Sequence, residues 1–138
     1  MKKKIAILGS TGSIGKSLLR IVKKNKKDFE IILLTANKNY KELLNQTKKH
    51  KVKNVIITDL NSYLKFKKLN LDKNLKIFNN FQYLNRIFKS KINYVMSSII
   101  GLNGLYPTIK IIKHTQTVAI ANKESIICGW NIIKKMSL

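Results

Sequence analysis

The sequence predicts an α/β protein with a Rossmann-like, doubly wound, mainly parallel sheet covered by helices on both faces. Three observations predict it. Short apolar, β-rich runs alternate with amphipathic stretches along the whole chain, which is the pattern of repeated βαβ units. The first apolar run, Ile5-Ala6-Ile7-Leu8, leads straight into the glycine-rich stretch Gly9-Ser10-Thr11-Gly12-Ser13-Ile14-Gly15-Lys16-Ser17. The length of 138 residues, 44% of them apolar, suits one compact domain with its own core.

The elements follow in order. Lys4 to Leu8 reads as a strand, and Ile14 to Lys24 as a helix with Ile14, Leu18, Leu19, Ile21 and Val22 on or near one face. Glu30 to Thr35 is a second strand and Tyr40 to Lys49 a second helix. Val52 to Thr58 and Leu60 to Leu69 repeat the pair. Leu75 to Phe78 is a short strand before a helix at Phe81 to Phe88. Ile92 to Ser98 is a further strand. Leu105 to Lys113 is helical, with Pro107 tolerated in its first turn. Thr117 to Ala121 and Lys123 to Lys135 close the series. No repeat, low-complexity linker or Pro/Gly-rich boundary divides the chain, so residues 1–138 are expected to form one domain.

No apolar run approaches the length needed to span a bilayer, and the apolar run after Lys2-Lys3-Lys4 is too short for a signal-peptide core. A cytoplasmic location is expected, with no membrane partner. The single cysteine, Cys128, agrees with a reducing compartment and is expected to fill core. The formal charge of +22 invites a polyanion partner. However, only Arg20 and Arg86 are arginine, and the lysines spread over the whole chain. Lys, Asn and Ile are all encoded by A/T-rich codons, so base composition accounts for the charge. Nucleic-acid readers favour arginine for bidentate contacts, and no specific nucleic-acid partner is expected.

The glycine stretch has two readings. A triphosphate-binding loop needs G-x-x-x-x-G-K-[ST]. Counting back from Gly15-Lys16-Ser17, its first glycine falls at position 10, which is Ser10. The spacing matters because backbone N–H groups must wrap the phosphates in a fixed nest. Val55-Ile56-Ile57-Thr58-Asp59 imitates a magnesium-holding strand end, but such aspartates are common in α/β folds. The dinucleotide reading fits better: Gly9, Gly12 and Gly15 form G-x-x-G-x-x-G. Gly9 makes the turn out of the strand, Gly12 admits a pyrophosphate, and Gly15 permits close packing of the helix on the sheet. The pyrophosphate would sit at the helix N-terminus, where free N–H groups and the dipole favour anions.

The end of the second strand reads Thr35-Ala36-Asn37-Lys38-Asn39. An NAD site wants a carboxylate there, and none is present. A lysine between two asparagines suits a 2′-phosphate, by charge and by amide hydrogen bonds, and points to NADP. The alternative is a solvated turn.

The third landmark, Ala119-Ile120-Ala121-Asn122-Lys123-Glu124-Ser125, puts polar groups at the C-terminal end of a strand, where ligands bind in open α/β sheets. With the glycine turn, the Asn37–Asn39 turn and Gly104-Leu105-Tyr106-Pro107-Thr108, it closely resembles the 1-deoxy-D-xylulose 5-phosphate reductoisomerase family over essentially the whole chain. The resemblance implies an NADPH- and divalent-metal-dependent enzyme (Mg or Mn) of non-mevalonate isoprenoid synthesis. It implies that Thr11, Gly12, Ser13 and Ile14 contact the NADPH pyrophosphate, and that Asn37, Lys38 and Asn39 hold the adenosine 2′-phosphate end. Asn122 and Glu124 would contact the cofactor, and Lys123 the substrate. Family members often carry glycine where Asn37 stands.

The resemblance also implies that the metal-binding acidic residues and the substrate-phosphate pocket follow the stretch covered here, and that the family-length protein is a homodimer. The six carboxylates, Asp28, Glu30, Glu42, Asp59, Asp72 and Glu124, show no metal-ligand clustering, and His50 and His114 stand apart. No metal ligand and no catalytic residue is therefore assigned. Alone, the chain is expected to bind cofactor with little or no turnover. Two competing readings remain open: a P-loop-like ATP-binding protein, and a basic, non-enzymatic nucleic-acid-binding module.

Overall fold

A computed structural model describes all residues, 1–138. Six strands, β1 (Lys3–Leu8), β2 (Phe29–Ala36), β3 (Asn54–Ile57), β4 (Lys76–Phe78), β5 (Ile92–Ser97) and β6 (Thr115–Ile120), alternate with six helices. The helices are α1 (Ser13–Lys24), α2 (Tyr40–His50), α3 (Leu60–Leu69), α4 (Leu84–Ile87), α5 (Leu105–Ile112) and α6 (Lys123–Ser137). Every predicted strand is present. The helix predicted at 81–88 is instead a 3₁₀ turn, Phe81–Tyr83, continuing into the one-turn α4.

The strand order is β4-β3-β2-β1-β5-β6 and every pairing is parallel. The chain winds outward from β1 to β4, then returns to place β5 on the other side of β1. Right-handed crossovers in opposite directions put their helices on opposite faces. Accordingly Leu19, Val22, Leu43 and Phe66 from α1–α3 share one core with Ile5 and Ile7. Phe81, Leu84, Phe88 and Ile111 share the other with Ala6 and Leu8. The alternation of β1 between these cores is the two-residue period of a strand buried on both faces.

The apolar run in β2 is not a uniform strand. Ile5 pairs with Ile31 but Ala6 pairs with Leu33, so a bulge falls at Ile32. The extra residue keeps Ile31, Leu34 and Ala36 on the α1 side while Leu33 faces the other core. Two apolar expectations fail. Ile14 and Ile21 are exposed; Gly15, Leu19 and Val22 are the buried residues of α1. Cys128 is exposed too, so it fills no core: α6 packs on α5 through Gly129, whose position a Cβ could not occupy without striking Leu105. Ile127 and Trp130 on its other side face solvent.

Candidate cofactor-binding site

A doubly wound sheet opens a crevice at the carboxyl ends of its strands, where the chain reverses direction. Here that point lies between β1 and β5. Leaving β1, Gly9 takes φ +78°, a conformation natural only to glycine. A Cβ there would also lie 3.0 Å from the Ser98 carbonyl. The turn is fastened on both sides. Gly9 N–H donates to Thr35 Oγ1 (3.0 Å), and Ser10 N–H to the Thr35 carbonyl (2.9 Å). Across the crevice, Ser98 Oγ donates to the carbonyls of Leu8 (2.7 Å) and Gly9 (3.2 Å).

Gly15 needs its missing side chain for a different reason from the expected one. A Cβ there would lie 2.6 Å from Gly9 O and Ser10 Cα, so at Gly15 the helix lies against the loop's own backbone, while Leu19 and Val22 pack it on the sheet. Gly12 differs again. It is the N-cap of α1, and a Cβ would meet only Gly9 O, at 3.7 Å. That side of the turn is open. The start of α1 has no side-chain cap and no acidic residue in its first turn. In contrast, Asn39, Asp59 and Asn122 cap α2, α3 and α6. The N–H groups of Thr11, Ser13 and Ile14 find no acceptor within the chain. Uncapped donors and the positive end of the helix dipole favour an anion here.

A cleft of about 350 Å³ lies beside the turn, bounded by Thr11, Gly12 and Asn37 on one side and by Ser98, Ile99 and Asn103 on the other. A second, of about 240 Å³, joins Ile14 and Ser98–Ile100 to Ala121–Glu124. The glycine turn, the end of β2 and the start of α6 are far apart in sequence and meet around these two hollows.

The turn after β2 is well built. Asn37 Nδ2 donates to Thr58 Oγ1 (2.8 Å), and the Lys38 carbonyl accepts from Tyr40 N–H (2.8 Å) and Ser62 Oγ (3.2 Å). Asn39 Oδ1 accepts from Glu42 N–H (3.3 Å), which leaves its Nδ2 for a ligand. The Asn37 and Lys38 side chains are exposed. Asp59, the imitation magnesium ligand, is spent on α3: Ser62 N–H (3.0 Å) and Ser62 Oγ (2.7 Å) both donate to it. Those bonds, helped by Lys38 and Lys65, hold its carboxyl below the ordinary value.

At the start of α6, Lys123 is exposed and Glu124 half-buried at the second cleft. Asn122 is buried. Its Nδ2 donates to the carbonyls of Ile99 and Gly101, and its Oδ1 accepts from Ser125 N–H (3.2 Å). The carboxamide thus pins the loop that separates the two clefts, and one Oδ1 lone pair remains for anything else. Sequence reading missed Ser10, Thr35, Gln46 and Ser98, which hold the turn in place. The one available signal was Gln46, a polar residue in the buried phase of α2 beside Leu43 and Thr47. No three His, Cys, Asp or Glu side chains gather to hold a metal ion, so these residues do not fit the divalent metal that the resemblance implies.

The sequence model of the 1-deoxy-D-xylulose 5-phosphate reductoisomerase family matches residues 5–129. The chain belongs to this family. Relatives that carry the family name include those of Pelagibacter ubique, 62% identical over 96% of the chain, and Phocaeicola vulgatus, 36% identical over 99%. The chain spans 35% and 36% of their lengths. Among solved structures, the family enzyme of Zymomonas mobilis in complex with NADPH superposes with a TM-score of 0.88 at 30% identity, over 99% of this chain and 36% of that one. A reductoisomerase in complex with NADPH, fosmidomycin and magnesium superposes at 0.86 with 25% identity, over 98% and 34%. The two folds correspond along the whole chain, so the family likeness reaches both clefts.

Proposed function

We propose that residues 1–138 are the NADPH-binding domain of a 1-deoxy-D-xylulose 5-phosphate reductoisomerase. That enzyme rearranges 1-deoxy-D-xylulose 5-phosphate and reduces the product to 2-C-methyl-D-erythritol 4-phosphate. The observation that carries the reading is the uncapped start of α1, opening beside Gly12 into the crevice between β1 and β5. When bound, NADPH supplies the hydride. The chain's own part is to hold it. The N–H groups of Thr11, Ser13 and Ile14 take the pyrophosphate, with Gly12 giving it room and Gly9 and Gly15 shaping the turn. Lys38, Asn37 and the Asn39 amide take the 2′-phosphate. Glu124 reaches the cofactor across the second cleft, Asn122 holds the intervening loop, and Lys123 turns toward the substrate.

The metal ligands belong to the part of the family-length protein that these residues do not cover, as does homodimerisation. By themselves the 138 residues bind cofactor with little or no turnover. No helix is long and apolar enough to cross a membrane; the cytoplasmic location is part of this proposal.

The test is a titration of the chain with NADPH and NADH at low and at physiological salt. Saturable binding that prefers NADPH and survives salt is expected, unaffected by Lys16→Ala. Adsorption to any polyanion, lost at physiological salt, would favour the basic module. Magnesium-dependent ATP binding abolished by Lys16→Ala would favour the triphosphate loop.

A further inference from the structure

Most of α2 obeys simple amphipathic logic: Leu43 and Leu44 face the core, while Lys41, Asn45, Lys48 and Lys49 face water. Gln46 breaks it. It is only 4% exposed, and a buried carboxamide persists only where its polar atoms find partners. Its partners are on the glycine turn. Nε2 donates to the Ser10 carbonyl (3.0 Å), and Oε1 accepts from Ser10 Oγ (2.7 Å). The remaining Nε2 hydrogen reaches Glu42 Oε1 at 3.4 Å. Ser10 is itself fully buried. Of its three polar groups, the N–H goes to the Thr35 carbonyl, the hydroxyl meets Gln46 at 2.7 Å and the Thr35 carbonyl at 3.3 Å, and the carbonyl meets Gln46.

This pairing has a consequence one bond further on. A trans peptide holds its C=O and N–H antiparallel, and the chain contains no cis bond. The bond that turns the Ser10 carbonyl toward α2 therefore turns the Thr11 N–H away from α2. Thr11 lines the larger cleft, and its N–H has no acceptor in the chain. We propose that Gln46 is a positioning residue for the dinucleotide: by clamping Ser10 it aims the Thr11 N–H at the bound diphosphate. The proposal rests on the dinucleotide reading given above. Because the diphosphate is common to NADPH and NADH, loss of the clamp weakens both alike. A residue of the 2′-phosphate turn would change their ratio instead.

The experiment compares the chain with Gln46→Met, which keeps the volume and loses the amide, and with Gln46→Glu. The latter keeps the shape and an acceptor for Ser10 Oγ but, ionised beside Glu42, loses the donor to the Ser10 carbonyl. The two variants perturb the fold differently, one by polarity and one by charge, and either folded variant decides the question. Kd for NADPH and for NADH is measured well below the thermal midpoint of each variant, with folding verified by circular dichroism. A purely structural role would lower the midpoint and leave Kd unchanged. The clamp predicts that both Kd values rise by roughly tenfold, the scale of one lost hydrogen bond, at a constant ratio. Folded variants that bind as the parent does, or that change only the NADPH:NADH ratio, overturn the proposal. A parent chain that binds neither nucleotide overturns the dinucleotide reading itself, a result distinct from the other two.

Discussion

Two glycines of one motif are predicted to fail in opposite ways. Gly15 lies inside α1, where alanine is intrinsically favoured over glycine by about 1 kcal/mol. A Cβ there would sit 2.6 Å from Gly9 O, 2.6 Å from Ser10 Cα and 2.8 Å from Ser10 C. These backbone atoms are held by bonds to Thr35, Ser98 and Gln46, so none can swing aside. Non-bonded contact is comfortable only from about 3.5 Å, so helix and loop must separate by most of an ångström. Overpacking of this kind costs about 1–3 kcal/mol or more, and three backbone contacts place it at the upper end. After the helical gain, Gly15→Ala is expected to destabilise the chain by about 2 kcal/mol, lowering Tm by roughly 6–10 °C for a domain of this size.

Gly12→Ala meets only Gly9 O, at 3.7 Å. Its cost is that of a poorer N-cap, about 1 kcal/mol or less. In the proposed cofactor site, however, its methyl group stands where a phosphate would approach, and NADPH affinity is expected to fall by roughly ten- to a hundredfold, as for lost charge-assisted hydrogen bonds. Thermal melting and an NADPH titration of both variants decide the matter. A Gly15→Ala chain that melts no lower than the parent, or a Gly12→Ala chain that binds as the parent does, would refute the reasoning.

Lys38→Ala should raise Kd for NADPH by about tenfold or more and leave NADH untouched, since only the former carries the 2′-phosphate; equal loss of both would move the 2′-phosphate elsewhere. The histidines predict a pH dependence of folding. Burial, followed by the charge of Lys113, lowers the pKa of His114, and burial followed by Lys49, Lys23 and Lys26 lowers that of His50, both from 6.5. The unfolded chain therefore takes up protons first, so stability is full above pH 6.5 and declines as the pH falls through that value toward the folded pKa values. His114→Leu removes a buried Nε2 that has no partner and should flatten the fall in Tm between about pH 7 and pH 5; an unchanged slope would assign the dependence to His50.

Neither competing reading gains from the geometry. Ser10, where a triphosphate loop needs glycine, is fully buried and bonded through its side chain to Gln46 and Thr35. Of Tyr40, Tyr63, Phe66 and Tyr83, the aromatics interleaved with lysines along the middle of the chain, Phe66 is core and Tyr40 and Tyr63 pack against that core. Tyr83 is the exposed one of these four, under the Arg86 guanidinium.

Much was legible from residues alone. Alternating runs of period two and 3.6 place every strand, and Gly9 marks the exit from β1, because these features depend on backbone sterics and on which face of an element is apolar. The Asn37–Asn39 turn and the Asn122–Ser125 stretch were likewise recognisable as polar groups at strand ends. What local pattern cannot encode is which distant groups meet. The bulge at Ile32, the close approach of Gly15 to the loop, and the two clefts sharing Ser98–Ile100 all follow from the strand order. Asn122, expected to contact the cofactor, spends its Nδ2 on the Ile99–Gly101 loop; Cys128, expected in the core, is exposed; Gln46 is buried. Each outcome was set by a neighbour remote in the chain (Ile99, Leu105 and Ser10 respectively). Burial and hydrogen-bond satisfaction are properties of the packed chain, and a single residue's chemistry does not specify them.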